Sequence, residues 1–315
     1  MTSKLNSAST PSVWTPRRLA QWGAVALIVI AVGWAVWYFG IELPDERQAA
    51  LLSNQRLANA RSIPDLNLDL AWIPPGDFGM GTKQNILIGW YQTMKDKVTR
   101  SRDSRDHMED NQRPLTWVTL TQPFWLGRTV VTQGQWLAVM GTKPSEYDMG
   151  SNWPVDNISW ADAMAFCKKL TERERTAGRL PAGYAYTLPT EAQWEYACRA
   201  GRTGEYSGDL PAKDWYIQNG GTINEVAKWK PNAWGLYDMD NDVWEWCWDL
   251  FGDYPGGEVT DPHGSSLRGN WAWSSEHVIR GGGGGGEAAG LRSARRNHSP
   301  DYSSTISFRV ALCHS

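Results

Sequence analysis

The chain has 315 residues, a formal charge of −3 and a pI near 6.0. That length suits one large domain or two ordinary ones, and the charge gives no electrostatic footprint for nucleic acid. Tryptophan is the outlier at 20 residues, with 31 glycines beside it, which implies either a loop-rich fold packed by large rings or a ring-lined ligand surface.

Residues 1–18 are rich in Ser, Thr and Pro and read as a disordered cytoplasmic tail. Arg17 and Arg18 then precede an uncharged run, residues 19–41, long enough to span a hydrocarbon core of roughly 30 Å as a helix. Trp34, Trp37 and Tyr38 lie near its far end, and Glu42, Asp45 and Glu46 follow it. This asymmetry predicts a single-pass anchor with the N-terminus cytoplasmic and the rest periplasmic or extracytoplasmic. The run lacks a clear small-x-small cleavage site, which favours an uncleaved anchor over a signal peptide. Residues 42–66 are polar with helix formers and read as a helical stalk, whose Leu51, Leu52 and Leu57 would pack on the domain or on a partner.

A folded domain is predicted over 67–315, opening with the alternating run from Leu68 and the Pro74-Pro75-Gly76-Asp77 turn. Residues 83–113 read as an exposed loop, and LTWVTLTQ and PFWLGRTVV as two strands. Short helices are expected from Thr132 to about Met140, from an N-cap at Ser159 to about Gly178, and from a capping box at Thr190/Gln193 to Gly201. Within the second, Ala163, Phe166, Cys167 and Leu170 make a core-facing stripe. Glu191 and Glu195 flank Trp194; a catalytic carboxylate pair is one reading, and solvated or capping glutamates the blander one. Past residue 202 helical periodicity disappears. An exposed loop (252–269), a glycine run (281–286) expected to be mobile, and a closing strand SFRVAL remain.

The densest stretch is Gly235–Asp249, GLYDMDNDVWEWCWD. Its acidic and amide oxygens could wrap a hard cation, or form a solvated acidic loop. Trp244, Trp246 and Trp248 alternate, which puts three rings on one face of a strand. The four cysteines (Cys167, Cys198, Cys247, Cys313) form no C-x-x-C pair, and the five histidines show no H-x-x-x-H or H-E-x-x-H spacing. Zinc-ribbon, thioredoxin and His-cluster sites therefore have no support.

In order along the chain come AWIPPGDFGMGT, FWLGRTVVTQGQW, PVDNISWADAMAFC, YTLPTEAQWEYACRAG, PNAWGLYDMDNDVWEWCWD, VIRGG, LRSARRNHSPD and SFRVAL. This series, over roughly residues 68–312, resembles the formylglycine-generating enzyme (sulfatase-modifying factor) family. The resemblance implies an α+β, loop-rich, C-type-lectin-like fold with structural calcium. Its calcium ligands would be the side chains of Asp238 and Glu245 and the carbonyls of Asn241 and Val243. The family enzyme oxidises a substrate cysteine with Cu(I) held by two thiolates, and soft thiolates are what Cu(I) requires. The matching positions are Gly286 and Leu291, and no cysteine lies between Trp248 and Leu312, so copper is not expected. Sulfoxide synthases of the same family bind iron through histidines on an added helical domain; this chain has neither. The resemblance also pairs Cys167 with a cysteine on the closing strand. The nearest one here is Cys313, three residues beyond the matched Val310, so either a Cys167–Cys313 bridge or two free thiols fits. Cys198 and Cys247 read as buried free thiols.

Two functions follow. One is a membrane-anchored, exported binding or scaffolding module, holding a protein or small-molecule ligand outside the cytoplasm, with room for an envelope complex. The family's diversified ligand-binding members vary in the segment matching residues 281–307. The other is a divergent metal-dependent oxidoreductase or protein-modifying enzyme acting on an exported peptide or small molecule. Candidate ligand contacts are Glu287, Arg292, Arg295, Asn297, His298 and Tyr302; candidate catalytic groups are Arg295, His298 and Asp301. A structural role for Arg295 and Asp301, paired with each other or holding the closing strand, is the blander reading.

Overall fold

The computed structural model describes residues 46–83, 111–207, 223–240, 243–263, 276–282, 291–300 and 305–314. The chain divides into two units, Met1–Leu52 and Ser53–Ser315, and the second carries every described strand. Among the described residues no helix is long and apolar enough to cross a membrane; the run 19–41 lies outside them.

Helix α1 runs Glu46–Asn59. Leu57, expected to pack, is 75% exposed. The domain begins before the boundary read at 67, because strand β1 (Arg61–Ile63) already pairs with β2 (Leu68–Ile73). Strand β3 is Gly76–Met80, β4 Thr116–Leu120 and β5 Phe124–Gly127. Three helices follow: α2 (Gln133–Met140), α3 (Trp160–Thr176) and α4 (Glu191–Arg199), with β6 (Tyr184–Thr187) before α4. Each of these helices starts at a capping box, Thr132/Gln135, Ser159/Asp162 and Thr190/Gln193, so two orphan backbone N–H groups are satisfied at each start. Ala200 takes the left-handed cap after α4 at φ 48°, with Gly201 next at φ 84°.

The remaining strands are β7 (Trp244–Leu250), β8 (Gly257–Thr260), β9 (His277–Gly281), β10 (Arg296–Ser299), β11 (Ile306–Ser307) and β12 (Ala311–His314). They form a five-stranded sheet ordered β1-β2-β5-β12-β6, a four-stranded sheet β10-β9-β7-β11 and a three-stranded sheet β3-β4-β8. The five-stranded sheet separates two cores. Leu70, Trp72, Trp125 and Leu312 face one, with Phe166 and Leu170 of α3. Ala71, Ile73, Phe124, Leu126 and Ala311 face the other, with Trp194 of α4 and Phe78 of β3. Strict alternation along β2 and β5 is therefore read out as two apolar faces rather than one. Strand β7 behaves alike: Trp244, Trp246 and Trp248 enter the first core, as the alternation predicted, and Cys247 the second.

Three expectations change, and one open alternative is decided. The loop over 252–269 contains β8, which pairs in parallel with β4. Of the loop over 83–113, Gln112 is fully buried, and its carbonyl accepts the Thr82 N–H at 2.9 Å; residues 84–110 lie outside the described set. SFRVAL is not one strand. Its start belongs to β11 and its end to β12, in different sheets, with Phe308–Val310 crossing between them. The bridge between Cys167 and Cys313 does not form, and all four cysteines are free. Gly281 ends β9, and residues 283–290 lie outside the described set.

Buried indoles find carbonyl partners. Trp125 donates to Asn59 at 2.6 Å, Trp160 to Cys247 at 2.9 Å and Trp246 to Ile158 at 3.1 Å. Replacing the buried cap, Thr190→Ala, removes its bond to the Gln193 N–H (3.1 Å) and should lower stability by about 1 kcal/mol, read from the urea midpoint.

Candidate functional site

Helix α4 carries Glu191, Glu195 and Arg199 at four-residue spacing, which places them on one face. That face is buried, and both glutamates have no exposed surface. They are neither solvated nor free. Arg296 grips Glu191 bidentately, Nε to Oε1 at 2.7 Å and Nη2 to Oε2 at 2.9 Å. Arg280 reaches Glu191 at 3.4 Å and also pairs with Glu195. Arg199 closes on Glu195 Oε1 through Nε at 2.9 Å and Nη2 at 2.7 Å. The Gly81 N–H and the Tyr254 hydroxyl add donors to Glu195 and Glu191 at 3.0 and 3.1 Å. Asp249, fully buried, accepts the Glu191 N–H at 2.6 Å.

Three arginines thus meet two carboxylates, and the buried Asp249 beside them supplies a third negative charge. Further guanidinium N–H groups donate to carbonyls, those of Asn111 and Gly252 for Arg296 and of Ser293 and Ala294 for Arg280, while the buried Arg280 Nε finds no acceptor among the described residues. Burial pushes the Glu195 carboxyl up, but Arg280, Arg199 and the Gly81 N–H together hold it below its ordinary value.

A second buried pair lies beside the first. Arg309 holds Glu245 with Nε to Oε2 and Nη2 to Oε1, both at 2.7 Å, and donates onward to the carbonyls of Gly127 and Tyr237. The Trp194 indole donates to Glu245 Oε2 at 2.7 Å, while Arg280 lies 5.3 Å from the centroid of the same ring. Trp194 therefore joins the two ion clusters, by its N–H on one side and its face on the other.

The acidic turn splits its carboxylates. Asp240 turns inward: Ser207 N–H and Oγ donate to it at 3.0 and 2.6 Å, and Cys198 Sγ lies at 3.6 Å. Burial pushes its carboxyl up to about 6. Asp238, in the left-handed region at φ 59°, accepts the Ala227 N–H at 2.8 Å, and burial raises its carboxyl as well. Asn241 lies outside the described residues, and Val243 is buried.

The C-terminal candidates among the described residues have separate partners. Leu291 is buried. Arg295 lies 4.8 Å from the Trp244 ring centroid, so its described role is packing; Asp301, its expected partner, lies outside the described residues with Gly286, Glu287 and Tyr302. Arg292 is half-buried and Asn297 exposed. His298 is exposed, its Nδ1 is bonded to the Glu276 carboxylate, and its ring lies 4.4 Å from that of Phe251. Sequence reasoning missed the arginines that matter most: Arg199, Arg280, Arg296 and Arg309. The available signal was a charged residue inside an apolar run, V-I-R-G and S-F-R-V, because such a residue must find a buried partner.

A loop-rich α+β domain whose α4 and Trp-rich strand are locked by buried Glu–Arg pairs is that of the sulfatase-modifying-factor class. The chain belongs to the sulfatase-modifying factor enzyme 1-like domain family, whose sequence model matches residues 58–313. It is 29% identical to the chaperone protein LppX of Paenibacillus barcinonensis, across 42% of this chain and 64% of that protein. It is also 29% identical to the formylglycine-generating enzyme of Streptomyces coelicolor, across 60% of each. The matched region thus spans less than two thirds of either relative. In fold it is similar to Treponema denticola variable protein 1, with a TM-score of 0.61 and 24% identity, covering 82% of this chain and 99% of that one.

Arg309→Met should leave Glu245 buried without its counter-ion and lower stability by about 3–5 kcal/mol, read as loss of folded yield or a large drop in Tm. The Glu195 carboxyl is lowered in the fold, so its stabilisation is complete above the unfolded carboxylate range and lost as pH falls through the lowered folded value. Glu195→Gln should therefore flatten the acid limb of the stability curve below about pH 4, as unfolding measured across pH would show.

Proposed function

We propose that this chain is a membrane-anchored, exported binding or scaffolding module that does not form formylglycine. The observation that carries the reading is the loss of the thiolate pair: Gly286 and Leu291 stand where the family's copper ligands would be, and the Leu291 side chain is buried. The thiols that remain are poor substitutes. Burial pushes those of Cys167, Cys198 and Cys247 far up and that of Cys313 up to about 11, whereas Cu(I) takes thiolates. The residues therefore do not fit copper. The apolar run 19–41 supplies the anchor in this reading.

Calcium fits better. Asp238 is a half-buried carboxylate whose one donor among the described residues is the Ala227 N–H, an arrangement a hard cation relieves. Glu245 Oε2 is filled by Arg309 and Trp194, but Oε1 accepts Arg309 alone and keeps a lone pair. Asp238, Glu245 and the carbonyls of Val243 and Asn241 would hold the ion. Its contribution would be fixed positive charge that stiffens the acidic turn.

A second reading, the divergent metal-dependent oxidoreductase or protein-modifying enzyme acting on an exported peptide or small molecule, is favoured by one observation. The carboxylate of Glu276 bonds to Nδ1 of His298 and so orients an exposed imidazole.

The full chain, purified in detergent, should hold no stoichiometric copper by mass spectrometry and consume no oxygen with thiol peptides. Copper with turnover would sink the module reading. Calcium should raise Tm over that in chelator, and Asp238→Ala should abolish the difference; equal Tm values in both buffers would remove calcium from the account.

A further inference from the structure

One cleft of the domain takes no part in the ion clusters. It encloses about 490 Å³, a volume typical of ligand sites, between the start of β2, the turn from β5 to α2, and the loops at Ser151–Asn152 and Val226–Ala227. Asn67, Asp69, Thr129, Ser151 and Asn152 give it short polar side chains. Arg128 and Tyr237 form its wall, with the Arg128 Nε donating to the Gly235 carbonyl at 3.0 Å and the guanidinium 5.2 Å from the Tyr237 ring centroid.

A second compartment of about 60 Å³ adjoins the cleft next to Leu137, Lys143, Pro144 and Asp148; Gly134 and Ser151, joined by a backbone hydrogen bond of 3.1 Å, line both. Three of the five large apolar side chains exposed among the described residues belong to this region: Leu137, which lines the compartment, at 41%, and Tyr147 at 65% and Met149 at 52%, on the loop whose Asp148 and Gly150 line it. Such grouping on one surface marks an interaction site, since scattered single residues are the ordinary case. The loop that displays them is pinned. Gln133 Nε2 donates to the carbonyls of Tyr147 and Pro154 at 3.1 and 3.3 Å, and Asn157 Nδ2 to that of Pro144 at 2.9 Å. The apolar groups are thus held outward by bonded backbone, which reduces the ordering cost of contact.

Charge is uneven along the groove. Lys143 is neutralised by Asp148 at 2.6 Å, and Asp65 by Arg173 and Arg179. Among the described residues, Asp69 is exposed and has no ionic partner, and Arg128 bonds to the neutral oxygens of Gly235 and Tyr237. A ligand that complements the whole groove needs an apolar group of a few carbons, amide-like donors and acceptors along its length, and a cation opposite Asp69. An extended polypeptide has all three, whereas a saccharide lacks the first and last.

We propose that this two-compartment groove binds an extended peptide segment of a protein partner. An aliphatic side chain enters the small compartment beside Leu137 and Pro144, and a lysine or arginine reaches Asp69. The proposal rests on the binding-module reading and gives that module its ligand class and site.

The purified full chain is screened against a random library of nine-residue peptides, and selected peptides are titrated against variants. Enriched peptides should carry an aliphatic and a basic residue at fixed spacing. Leu137→Gln should weaken them about tenfold, and Asp69→Asn should weaken them several-fold while erasing the basic preference. Leu57→Gln, at an exposed apolar position outside the groove, should leave affinity unchanged, and equal unfolding midpoints should show all variants folded. Peptides that bind every variant equally would overturn the site and leave the module reading standing. Failure to enrich any peptide, with or without binding on a glycan array, would overturn the ligand class. Copper-dependent oxygen uptake would instead remove the module reading itself.

Discussion

Burial of α4 depends on arginines delivered from far along the chain. A helix that puts Glu191 and Glu195 into a core without partners would carry a desolvation cost of several kcal/mol per charge. Arg296 lies 105 residues from Glu191, Arg280 lies 85 from Glu195, and Arg309 lies 64 from Glu245. Strands β9 and β10 and the crossover after β11 therefore cannot detach without stranding a carboxylate. Each arginine also closes several carbonyls, so it replaces hydrogen bonds that a loop-rich domain with little regular sheet would otherwise lack.

The same requirement explains a pairing that looks unfavourable by itself. Arg280 and Arg296 lie directly opposite each other in the β9–β10 ladder. Like charges so placed repel. Glu191 Oε1 accepts from both, at 3.4 and 2.7 Å, and so turns the repulsion into a three-membered cluster. Trp194 then sets the spacing between that cluster and the Glu245–Arg309 pair. Its ring fills the second core, its edge satisfies Glu245 and its face lies against Arg280, so aromatic packing and charge pairing are fixed together.

Local structure was legible in the sequence where short-range chemistry decides it. Thr190/Gln193 and Ser159/Asp162 announced helix starts because a capping box needs only four residues. The alternating tryptophans of β7 announced a strand because the side-chain period is two. The partner of a buried charge was not legible. Glu191 and Glu195 look like surface residues on a helix until Arg280 and Arg296 arrive from another sheet. SFRVAL looks like one strand because nothing in its own residues reports that Arg309 must turn toward Glu245 between two sheets. The Gly252–Gly269 segment read as an exposed loop for a similar reason, since the pairing of Val259 with Val118 is non-local. Of the acidic-turn candidates, Asp238, Val243 and Glu245 lie among the described residues and Asn241 does not, whereas His298 takes its contact from Glu276, a residue that no motif flagged.

Saturated and unsaturated charges divide the domain by role. In the interior, Glu195 accepts from Arg280, Arg199 and the Gly81 N–H, and Glu191 from Arg296, Arg280 and the Tyr254 hydroxyl, so a ligand would have to break existing bonds to use them. That arrangement suits a scaffold and works against acid–base chemistry, which needs a group free to gain or lose a proton within reach of substrate. At the groove the balance reverses. Among the described residues Asp69 and Arg128 lack ionic partners, short hydroxyl and amide side chains line the cleft, and Leu137 of the adjoining compartment is exposed. Contact there would satisfy groups that the fold leaves open, and the rigid, ion-locked interior would hold them in place while it does so.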